Sequence, residues 1–425
     1  MNRFIINGQN PLNGIFTPSG NKNAALPMLA ACLLTDEPVT LSNVPDILDV
    51  RVMLELLAHL GVEVSQTKKS VTLCAKGLQT TRLDPELCRK VRSSILLAGP
   101  LAARHGTAEL FSPGGDVIGR RRVDTHFLAL QALGVTLKTN PHSYRLAAKK
   151  LRAADILLDE ASVTATENVL MAACLARGTT TLFNTACEPH VSDLATLLNK
   201  MGAHIEGIGT NRLVLRGVTR LHGATHRIGP DYIEIGSILA AAAVTGGSVS
   251  IPLTSEKTWL PILAQSFAKL GVELKTQDRL LRIEPIKTLR IRKDLTFDVP
   301  KIEDGPWPTF PSDLMSVAIV LATQAQGTTL FFEKMFESRL YFVDSLISMG
   351  AQIIQCDPHR VIVAGPSKLH PAHLNSPDIR AGMALLIAAL CAKGKSTIEN
   401  ARMIDRGYER IDERLRALGA DITRE

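Results

Sequence analysis

Aromatic side chains and long apolar runs are both scarce in this chain. Phe, Trp and Tyr make up 4% of the 425 residues, so the core must be built from Leu, Ile, Val and Ala. The longest apolar stretches, SILAAAAV at 237–244 and ALLIAALCA at 384–392, are much shorter than the roughly 20 residues that span a bilayer. The sequence therefore predicts no membrane insertion.

Secretion signals and metal-binding cysteine patterns are also missing. The first residues, MNRFIINGQNPLNG, are polar where a signal peptide needs an apolar stretch and a cleavage site of small residues. The seven cysteines form no CxxC pair, and their odd number and wide scatter are typical of reduced core thiols. We therefore expect a cytoplasmic protein without a metal site.

Long basic tracts are absent although the net charge is +7. Such a charge is compatible with a nucleic-acid partner or with an anionic small substrate. Lys and Arg are spread along the chain, and no aromatic residues alternate with them to stack on bases. The distribution favours an anionic small molecule and predicts no nucleic-acid partner.

An internal repeat is the strongest signal that is present. Six stretches, such as LLAHLGVEV and LRALGADI, pass from helical apolar spacing through a glycine into strand-like alternation. Their glycines are Gly61, Gly134, Gly202, Gly271, Gly350 and Gly419. Subtraction gives spacings of 73, 68, 69, 79 and 69 residues, which is the size of a small α/β unit rather than of a common solenoid repeat.

A second joint between a helix and a strand recurs in phase with the first. Its glycines are Gly106, Gly178, Gly247, Gly327 and Gly394, and LLTDEPVTLSNV is a degenerate first copy. Glycine after a helix is common in any protein, but the regular period argues against coincidence. The pattern predicts an α/β fold of six repeats with two glycine-capped helices each. Because 425 residues exceed one usual core, we expect two domains of three repeats.

Two polar clusters precede apolar helical stretches. In SGNKNAALP, Lys22 and Asn23 come just before a helix, where a lysine and free backbone N–H groups make an anion site. An Asn cap beside a solvated lysine explains the same residues. Arg92 lies at the start of another apolar helix, and an arginine there is usually solvated.

The stretch SPGGDVIGRRRVDTH places Asp116 at the tip of a Pro-Gly-Gly turn, before Arg120, Arg121 and Arg122. Paired glycines allow such a loop to move, and arginines bind phosphate oxygens. An ordinary surface turn is the alternative.

Asp313, in the proline-stiffened PWPTFPSDL, opens a helix as a general base or as a helix N-cap. Residues 403–419 are typical of a solvated helix face with i,i+4 pairs involving Glu409 and Asp412, and Arg406 beside Gly407 is the exception. Cations at turns and helix starts, with isolated carboxylates, favour an enzyme that handles two anionic substrates by electrostatics and proton transfer.

Five segments, in the order SGNKNAALP, PGGDVIG, FPSDL, PDIRAGMALL and IDRGYERI, resemble the UDP-N-acetylglucosamine 1-carboxyvinyltransferase family over essentially the whole chain. That family is similar to EPSP synthase. The resemblance implies two inside-out α/β barrel-like domains, each of three βαβαββ-type units. It implies one domain at 21–230 with a mobile catalytic loop at about 111–122, a second at 1–20 plus 231–425, and an active site in the interdomain cleft.

The resemblance also implies transfer of enolpyruvyl from phosphoenolpyruvate to the 3-hydroxyl of UDP-N-acetylglucosamine, with release of phosphate, as the first committed step of peptidoglycan synthesis. No cofactor and no obligate protein partner are expected. The implied catalytic residues are Asp116, Asp313, Lys22 and Arg406, and phosphoenolpyruvate would be bound by Lys22, Asn23, Arg121 and Arg406. The implied UDP-sugar contacts are Arg92, Arg121, Val123, Asp124, Thr125, Ser162, Val163, Asp313 and Met335, with Asp378 and Arg380 as further cleft residues.

Asp116 stands where most family members carry cysteine, so the resemblance makes it the acid that protonates the methylene carbon of phosphoenolpyruvate. A free aspartic acid titrates near about 3.9, so loop closure and the substrate anions must favour its protonated form. The same substitution resembles family members that are insensitive to fosfomycin, whose epoxide is opened by a thiolate.

Four further positions depart from the family pattern: Arg122 replaces a usual Pro, Glu160 a common basic residue, Thr164 a usual Gly, and Tyr232 an Arg that often follows PD. Glu160 and Thr164 leave the details of nucleotide binding open. One rival hypothesis is therefore a paralogue that acts on another nucleotide sugar. A second is a catalytically silent regulator that binds UDP-sugar, against which the retention of Lys22, Asp313 and Arg406 argues.

Overall fold

The computed structural model describes residues 2–254, 257–296 and 298–425, which divide into two compact units. The first unit comprises Ser19–Gly115 and Arg121–Pro230. The second unit comprises the segment that ends at Pro18, the short stretch Asp116–Arg120, and Asp231–Glu425. The sequence predicts the whole 111–122 loop as part of the first domain, whereas Asp116–Arg120 groups with the second unit.

The helices alternate with strands along the chain. The α-helices are α1 (Lys22–Ala31), α2 (Leu48–Leu60), α3 (Pro85–Lys90), α4 (Ala98–His105), α5 (Asp124–Ala132), α6 (Val163–Ala173), α7 (Pro189–Lys200), α8 (Tyr232–Thr245), α9 (Leu260–Lys269), α10 (Met315–Thr323), α11 (Val343–Ser348), α12 (Ile379–Cys391) and α13 (Ile411–Ala417). Short 3₁₀ turns occur at Cys32–Leu34, Arg92–Leu97, Ser312–Leu314, Arg339–Phe342 and Ala401–Arg406.

The strands are short, and buried residues alternate with more exposed ones in several of them. They are β1 (Phe4–Asn7), β2 (Asn13–Ile15), β3 (Val39–Ser42), β4 (Glu63–Gln66), β5 (Ser70–Cys74), β6 (Thr107–Phe111), β7 (Thr136–Asn140), β8 (Ser143–Ala147), β9 (Asp155–Leu157), β10 (Thr179–Phe183), β11 (His204–Glu206), β12 (Arg212–Arg216), β13 (Thr225–Arg227), β14 (Ser248–Pro252), β15 (Lys275–Gln277), β16 (Leu280–Ile283), β17 (Lys301–Glu303), β18 (Gly327–Phe332), β19 (Gln352–Asp357), β20 (Arg360–Gly365), β21 (His373–Asn375), β22 (Lys395–Glu399) and β23 (Asp421–Arg424). Examples of the alternation are β5, β10 and β22.

Each repeat builds one small sheet, and each unit contains three of them among the described residues. The sheets of the first unit have the orders β13-β3-β5-β4, β6-β8-β7 and β11-β12-β10-β9. Those of the second unit have the orders β15-β16-β14-β2, β17-β18-β20-β19 and β21-β22-β1-β23. This arrangement confirms the predicted α/β fold of six repeats.

The third repeat shows the βαβαββ order most clearly. Strand β9 pairs in parallel with β10 across α6, and α7 then leads to the antiparallel hairpin β11–β12, whose second strand returns to β10. The last repeat borrows a strand, because β1 from the start of the chain lies between β22 and β23. The second unit therefore needs both ends of the chain.

Each unit is inside-out in the predicted sense, with helices at its centre. In the second unit α8, α10 and α12 pack on one another, and every residue of α10 is buried. In the first unit α6 packs on both α1 and α4. Most residues of these helices are buried because sheets or other helices cover them, and some of the buried residues are polar, such as Glu167 and Asn168 of α6. Within the described ranges, no helix is both long and apolar enough to cross a membrane.

The predicted glycine joints are only partly correct. The glycines of the first series have left-handed backbone, with φ from +83° at Gly271 to +106° at Gly419. A residue with a side chain would be strained in this conformation. In the second series Gly106 caps α4 directly, but α8 ends at Gly246 rather than at the predicted Gly247. Gly178, Gly327 and Gly394 follow their helices by several residues and lead into strands.

Candidate functional site

Lys22 lies in the first turn of α1 and is 7% exposed. The helix begins two residues earlier than the sequence indicates, because Asn21 is the cap and its Oδ1 accepts from Ala24 N at 3.0 Å. Lys22 Nζ lies 2.7 Å from Asp49 Oδ2, in the first turn of α2. The solvated-lysine alternative is therefore wrong. Asn23, beside it, is half-buried.

Arg92 is not a solvated helix residue either. It opens the 3₁₀ turn before α4, and its Nη2 donates to the carbonyl oxygens of Arg121 at 2.9 Å and Arg122 at 3.0 Å. Burial lowers the pKa of Arg92 to about 10, and the charge of Arg121 contributes to the same shift. Arg92 thus holds the backbone that follows the glycine loop.

The first unit brings two helix starts together. Val123 precedes α5, whose first turn contains Asp124 and Thr125. Ser162 caps α6, its Oγ accepting from Ala165 N at 3.4 Å, and Val163 is the first residue of that helix. Backbone N–H groups at two neighbouring helix N-termini suit an anionic ligand such as a diphosphate.

Asp159 joins these helix starts and is a residue that the sequence analysis missed. Thr125 Oγ1 donates to Asp159 Oδ1 at 2.6 Å, and Arg122 reaches Asp159 Oδ2 at 3.0 Å and Asp124 Oδ2 at 3.1 Å. The Thr125 hydrogen bond and Arg122 lower the pKa of Asp159. Arg122, one of the departures from the family pattern, therefore bridges two carboxylates.

His126 is the second missed residue, and burial lowers its pKa to about 3, which keeps it neutral. Asn168 Oδ1 accepts from Gly99 N at 2.6 Å, so the amide nitrogen of Asn168 faces His126 Nδ1 at 3.0 Å. The other ring nitrogen then carries the proton and donates to Thr164 Oγ1 at 3.1 Å. Thr164, where the family usually has glycine, supplies this acceptor.

Asp313 in the second unit is held by two buried arginines. Its Oδ2 accepts from Arg380 Nε at 3.0 Å and Nη2 at 2.8 Å, and its Oδ1 accepts from Arg339 Nη2 at 3.3 Å. Leu314, not Asp313, is the cap position of α10, so the N-cap alternative is wrong. Two guanidinium groups favour the ionised carboxylate, which is the form a general base requires.

Asp378 is a helix cap in the same unit. It precedes α12, and its Oδ1 accepts from Arg380 N at 2.8 Å and from Ala381 N at 2.9 Å. Burial raises the pKa of Asp378. By this cap it fixes the start of the helix that carries Arg380, whose guanidinium lies 5.4 Å from the ring centroid of Tyr408.

Asp116 contacts a cation that the sequence analysis did not place beside it. Arg406 Nη1 lies 2.5 Å from Asp116 Oδ1, and the two side chains are 13% and 16% exposed, whereas Val117 beside them is 89% exposed, so the turn is at the surface but the Asp116 side chain is not. The following residues are also anchored within the unit, since Ser338 N donates to Ile118 O at 3.0 Å and Arg120 N donates to Glu337 Oε2 at 3.2 Å.

The stretch from 403 to 419 is only partly the solvated face that its charge pattern predicts, because Arg410, Glu413 and Arg416 are exposed whereas two acids are not. Glu409 and Asp412 are buried. Arg424 binds Asp405 through two hydrogen bonds of 2.7 Å and reaches Asp412 at 2.9 Å. These acids therefore anchor the last strand, while Arg416 and Asp412 form the expected i,i+4 pair at 3.7 Å.

Met335 is 39% exposed, and its backbone N donates to Glu333 Oε1 at 3.2 Å. In the part of the chain that the structure describes, no group of three or more His, Cys, Asp or Glu side chains is arranged to hold a metal ion.

Known proteins match this chain over its whole length. The family model of EPSP synthase (3-phosphoshikimate 1-carboxyvinyltransferase) matches residues 6–415. A UDP-N-acetylglucosamine 1-carboxyvinyltransferase of Bradyrhizobium diazoefficiens is 53% identical over 99% of this chain and 98% of its own. The chain belongs to the UDP-N-acetylglucosamine 1-carboxyvinyltransferase family. A relative of the same name from Treponema denticola is 51% identical over 99% of both chains.

Solved structures agree with this carboxyvinyltransferase assignment. The enolpyruvyl transferase NikO from Streptomyces tendae matches with a TM-score of 0.87 at 26% identity, covering 99% of this chain and 98% of its own. EPSP synthase from Acinetobacter baumannii matches with a TM-score of 0.77 over 100% of both chains at 18% identity, which shows the fold alone. The predicted family, fold class and transferase class are confirmed.

The carboxyvinyltransferase chain thus presents two sets of predicted residues, one in each unit. The first unit holds Lys22, Asn23, Arg92, Arg121, Val123, Asp124, Thr125, Ser162 and Val163. The second unit holds Asp116, Asp313, Met335, Asp378, Arg380 and Arg406. Asp49, Asp159, His126 and Arg339 were missed because their partners are distant in sequence and no spacing connects them.

Proposed function

We propose that the protein transfers the enolpyruvyl group of phosphoenolpyruvate to the 3-hydroxyl of UDP-N-acetylglucosamine and releases phosphate, as a step of peptidoglycan synthesis. The names of relatives that are 51–53% identical over nearly the whole chain support this reaction. The observation that carries it is the contrast between two carboxylates. Asp313 is held by two buried arginines, whereas Asp116, which lies on a glycine loop, pairs with a single arginine.

Asp313 is the proposed base of the reaction. Arg380 and Arg339 stabilise its negative charge, so it stays ionised and can accept the proton of the attacking sugar hydroxyl. Because both arginines are themselves buried, they hold the carboxylate in one orientation. This pre-orientation suits proton transfer, which depends on a short and directed contact.

Asp116 is the proposed acid, and its contact with Arg406 explains how its protonation is controlled. Arg406 is the ion-pair partner of Asp116 in this structure. Arg406 is also a proposed ligand of phosphoenolpyruvate, so the substrate anion competes with Asp116 for the same guanidinium. Binding would remove a cation from Asp116 and add a nearby anion, and both changes favour the protonated acid.

The chemical steps follow from these roles. Asp116 gives its proton to the methylene carbon, and the neighbouring carbon becomes an oxocarbenium-like centre. The sugar oxygen attacks that centre as Asp313 takes the hydroxyl proton. The Asp116 carboxylate then takes back one methyl proton as phosphate leaves the tetrahedral adduct, which restores the carbon–carbon double bond and the protonated acid. Lys22, Asn23 and Arg121 are proposed, with Arg406, to hold the phosphate and carboxylate of phosphoenolpyruvate.

The paired starts of α5 and α6 are the proposed site of the UDP-sugar diphosphate, with Arg92 beside it. Glu160 exerts an electrostatic effect on Arg92, and Asp159 places another carboxylate at these helix starts. These acidic groups, together with Thr164, are the specific observation that supports a second candidate, a transferase for a different nucleotide sugar.

Phosphate release separates the candidates. The purified protein is mixed with phosphoenolpyruvate and, in parallel, with UDP-N-acetylglucosamine, with other nucleotide sugars, or with no sugar. Release with UDP-N-acetylglucosamine alone is the expected result. Release only with another sugar would support the second candidate, and UDP-sugar binding without any release would support a silent regulator.

Fosfomycin is expected to leave the parent protein unlabelled. A carboxylate is a poorer nucleophile towards its epoxide than a thiolate, so Asp116→Cys should be inactivated roughly tenfold or more faster than the parent. Intact-mass spectrometry and residual activity over time measure both effects. Asp116→Ser, which offers no thiolate, is the matched control. A covalent adduct on Asp116 of the parent would contradict the prediction.

A further inference from the structure

The second unit contains two fully buried carboxyl groups that have no role in the proposed mechanism. Asp304 follows β17 and Glu333 follows β18, and both residues are 0% exposed. Strands β17 and β18 pair in parallel, so their carboxyl ends meet at the same edge of the sheet. Asp304 N donates to Phe332 O at 3.2 Å, which continues that pairing.

Glu333 connects the turn that carries Asp313 to the turn after β18. Ser312, the residue before Asp313, donates its Oγ to Glu333 at 3.0 Å and 2.9 Å. Backbone N–H groups of Met335 and Phe336 donate to Glu333 Oε1 at 3.2 Å and 3.1 Å. One side chain therefore sets the position of both turns.

Arg339 is shared between Glu333 and Asp313. It is 3% exposed, its Nε lies 3.8 Å from Glu333 Oε2, and its Nη2 donates to Asp313 Oδ1 at 3.3 Å. Among the described residues, Nε of Arg339 has no hydrogen-bond acceptor in range. The charge on Glu333 therefore decides how strongly Arg339 is drawn away from Asp313.

The two buried carboxyl groups are hydrogen-bonded to each other. Asp304 Oδ1 accepts from Lys334 N at 2.5 Å, and no N–H donor of the described residues reaches its Oδ2. Burial raises the pKa of Glu333 to about 9, the hydrogen bond with Asp304 adds to this, and Arg339 opposes it. A hydrogen bond between two carboxyl groups requires a proton on one of them, and the raised pKa indicates that Glu333 holds it.

Other titratable groups lie near the pair, and each contacts a different partner. Lys334 Nζ pairs with Glu303 at 2.8 Å near the surface. His359 Nδ1 lies 2.7 Å from Glu333 O, on the backbone side of the residue. On the far side of Arg339, Asp313 is neutralised by Arg380 at 2.8 Å.

We propose that Asp304 and Glu333 form a proton-sharing pair that positions Asp313, through Ser312 and through Arg339. With one proton between the two carboxyls, Arg339 stays bound to Asp313. Loss of that proton places a second negative charge beside Arg339 and weakens its contact with Asp313. Glu333 and Asp304 are positioning residues, and the inference rests on the proposed function only for the role of Asp313 as the base.

Glu333→Gln and Asp304→Asn test the pair because an amide keeps the shape but cannot ionise. Each single variant retains one negative charge at most, so we expect kcat near neutral pH within about threefold of the parent. The decline of kcat between about pH 8 and 10 should be shallower in both variants than in the parent. Glu303→Gln, which alters the neighbouring carboxylate paired with Lys301 and Lys334, should keep the parental pH profile.

Infrared spectroscopy tests the shared proton without any assay of activity. The parent should show a protonated-carboxyl band at neutral pH that is lost as pH rises through about 9, and neither amide variant should show the same titrating band. Unchanged alkaline profiles in both variants, or a parental band in both, would overturn the proposal. If the parent releases no phosphate with any nucleotide sugar, the proposed function fails, while the infrared result still decides whether the proton is shared.

The free energy of unfolding should also depend on this proton. The native state retains it above the ordinary titration range of glutamate, whereas the unfolded chain has lost it. The free energy of unfolding contributed by this group therefore falls as pH rises towards about 9. In Glu333→Gln this part of the pH dependence should disappear from thermal unfolding curves, and its persistence would count against the pair.

Discussion

Asp116→Asn is expected to lower kcat for phosphate release by roughly 10²- to 10⁴-fold, the range typical of a lost general acid. The amide keeps the size of the side chain but has no proton acidic enough to reach the methylene carbon. It also removes the ion pair with Arg406. Because residue 116 then no longer competes with the substrate anion for Arg406, KM for phosphoenolpyruvate should stay the same or fall.

Rescue distinguishes chemistry from structure at this position. Asp116→Cys supplies an acidic thiol proton and should recover most of the lost rate, whereas Asp116→Ser should not. Parent activity should decline at alkaline pH as the acid loses its proton, and Asp116→Cys should move that midpoint. Activity in the parent that is independent of pH from 5 to 9, or an Asp116→Asn variant with parental kcat, would contradict the role of Asp116.

Asp313→Asn is expected to reduce kcat by a similar factor, roughly 10²- to 10⁴-fold, which corresponds to about 2.7–5.5 kcal/mol of transition-state stabilisation. The amide cannot accept the proton of the sugar hydroxyl. It also leaves Arg380 and Arg339 without their shared counter-ion, and removing one partner of a buried ion pair typically costs about 3–5 kcal/mol of stability. Thermal unfolding of the variant must therefore be measured together with its kinetics.

The two aspartate variants are expected to differ in stability. Asp313→Asn, which leaves two arginines without their shared carboxylate, should lose more stability than Asp116→Asn, which leaves one. UDP-sugar binding, measured by calorimetry, shows whether the Asp313→Asn site is still formed. A folded Asp313→Asn variant that binds the UDP-sugar and turns over at the parental rate would exclude Asp313 as the base.

Local sequence patterns predicted much of the fold but misplaced several polar groups. The glycines of the first series were placed correctly because a left-handed helix end is a local requirement that glycine meets at least cost. Gly247 was wrong by one residue because two adjacent glycines satisfy the same pattern. Asp405 and Asp412 were predicted to be solvated because their partner Arg424 comes from the last strand.

The sequence by itself determined the six repeats, the two-by-three division of the fold, the buried helices and the family motifs. These properties depend on the order of apolar residues and glycines, which acts over one turn or one strand at a time. Only the tertiary structure decided which charges meet: Lys22 with Asp49, Asp313 with Arg339 and Arg380, Asp116 with Arg406, and Asp304 with Glu333. Charge interactions depend on distance and burial, and residues hundreds of positions apart gain both only when the chain has folded.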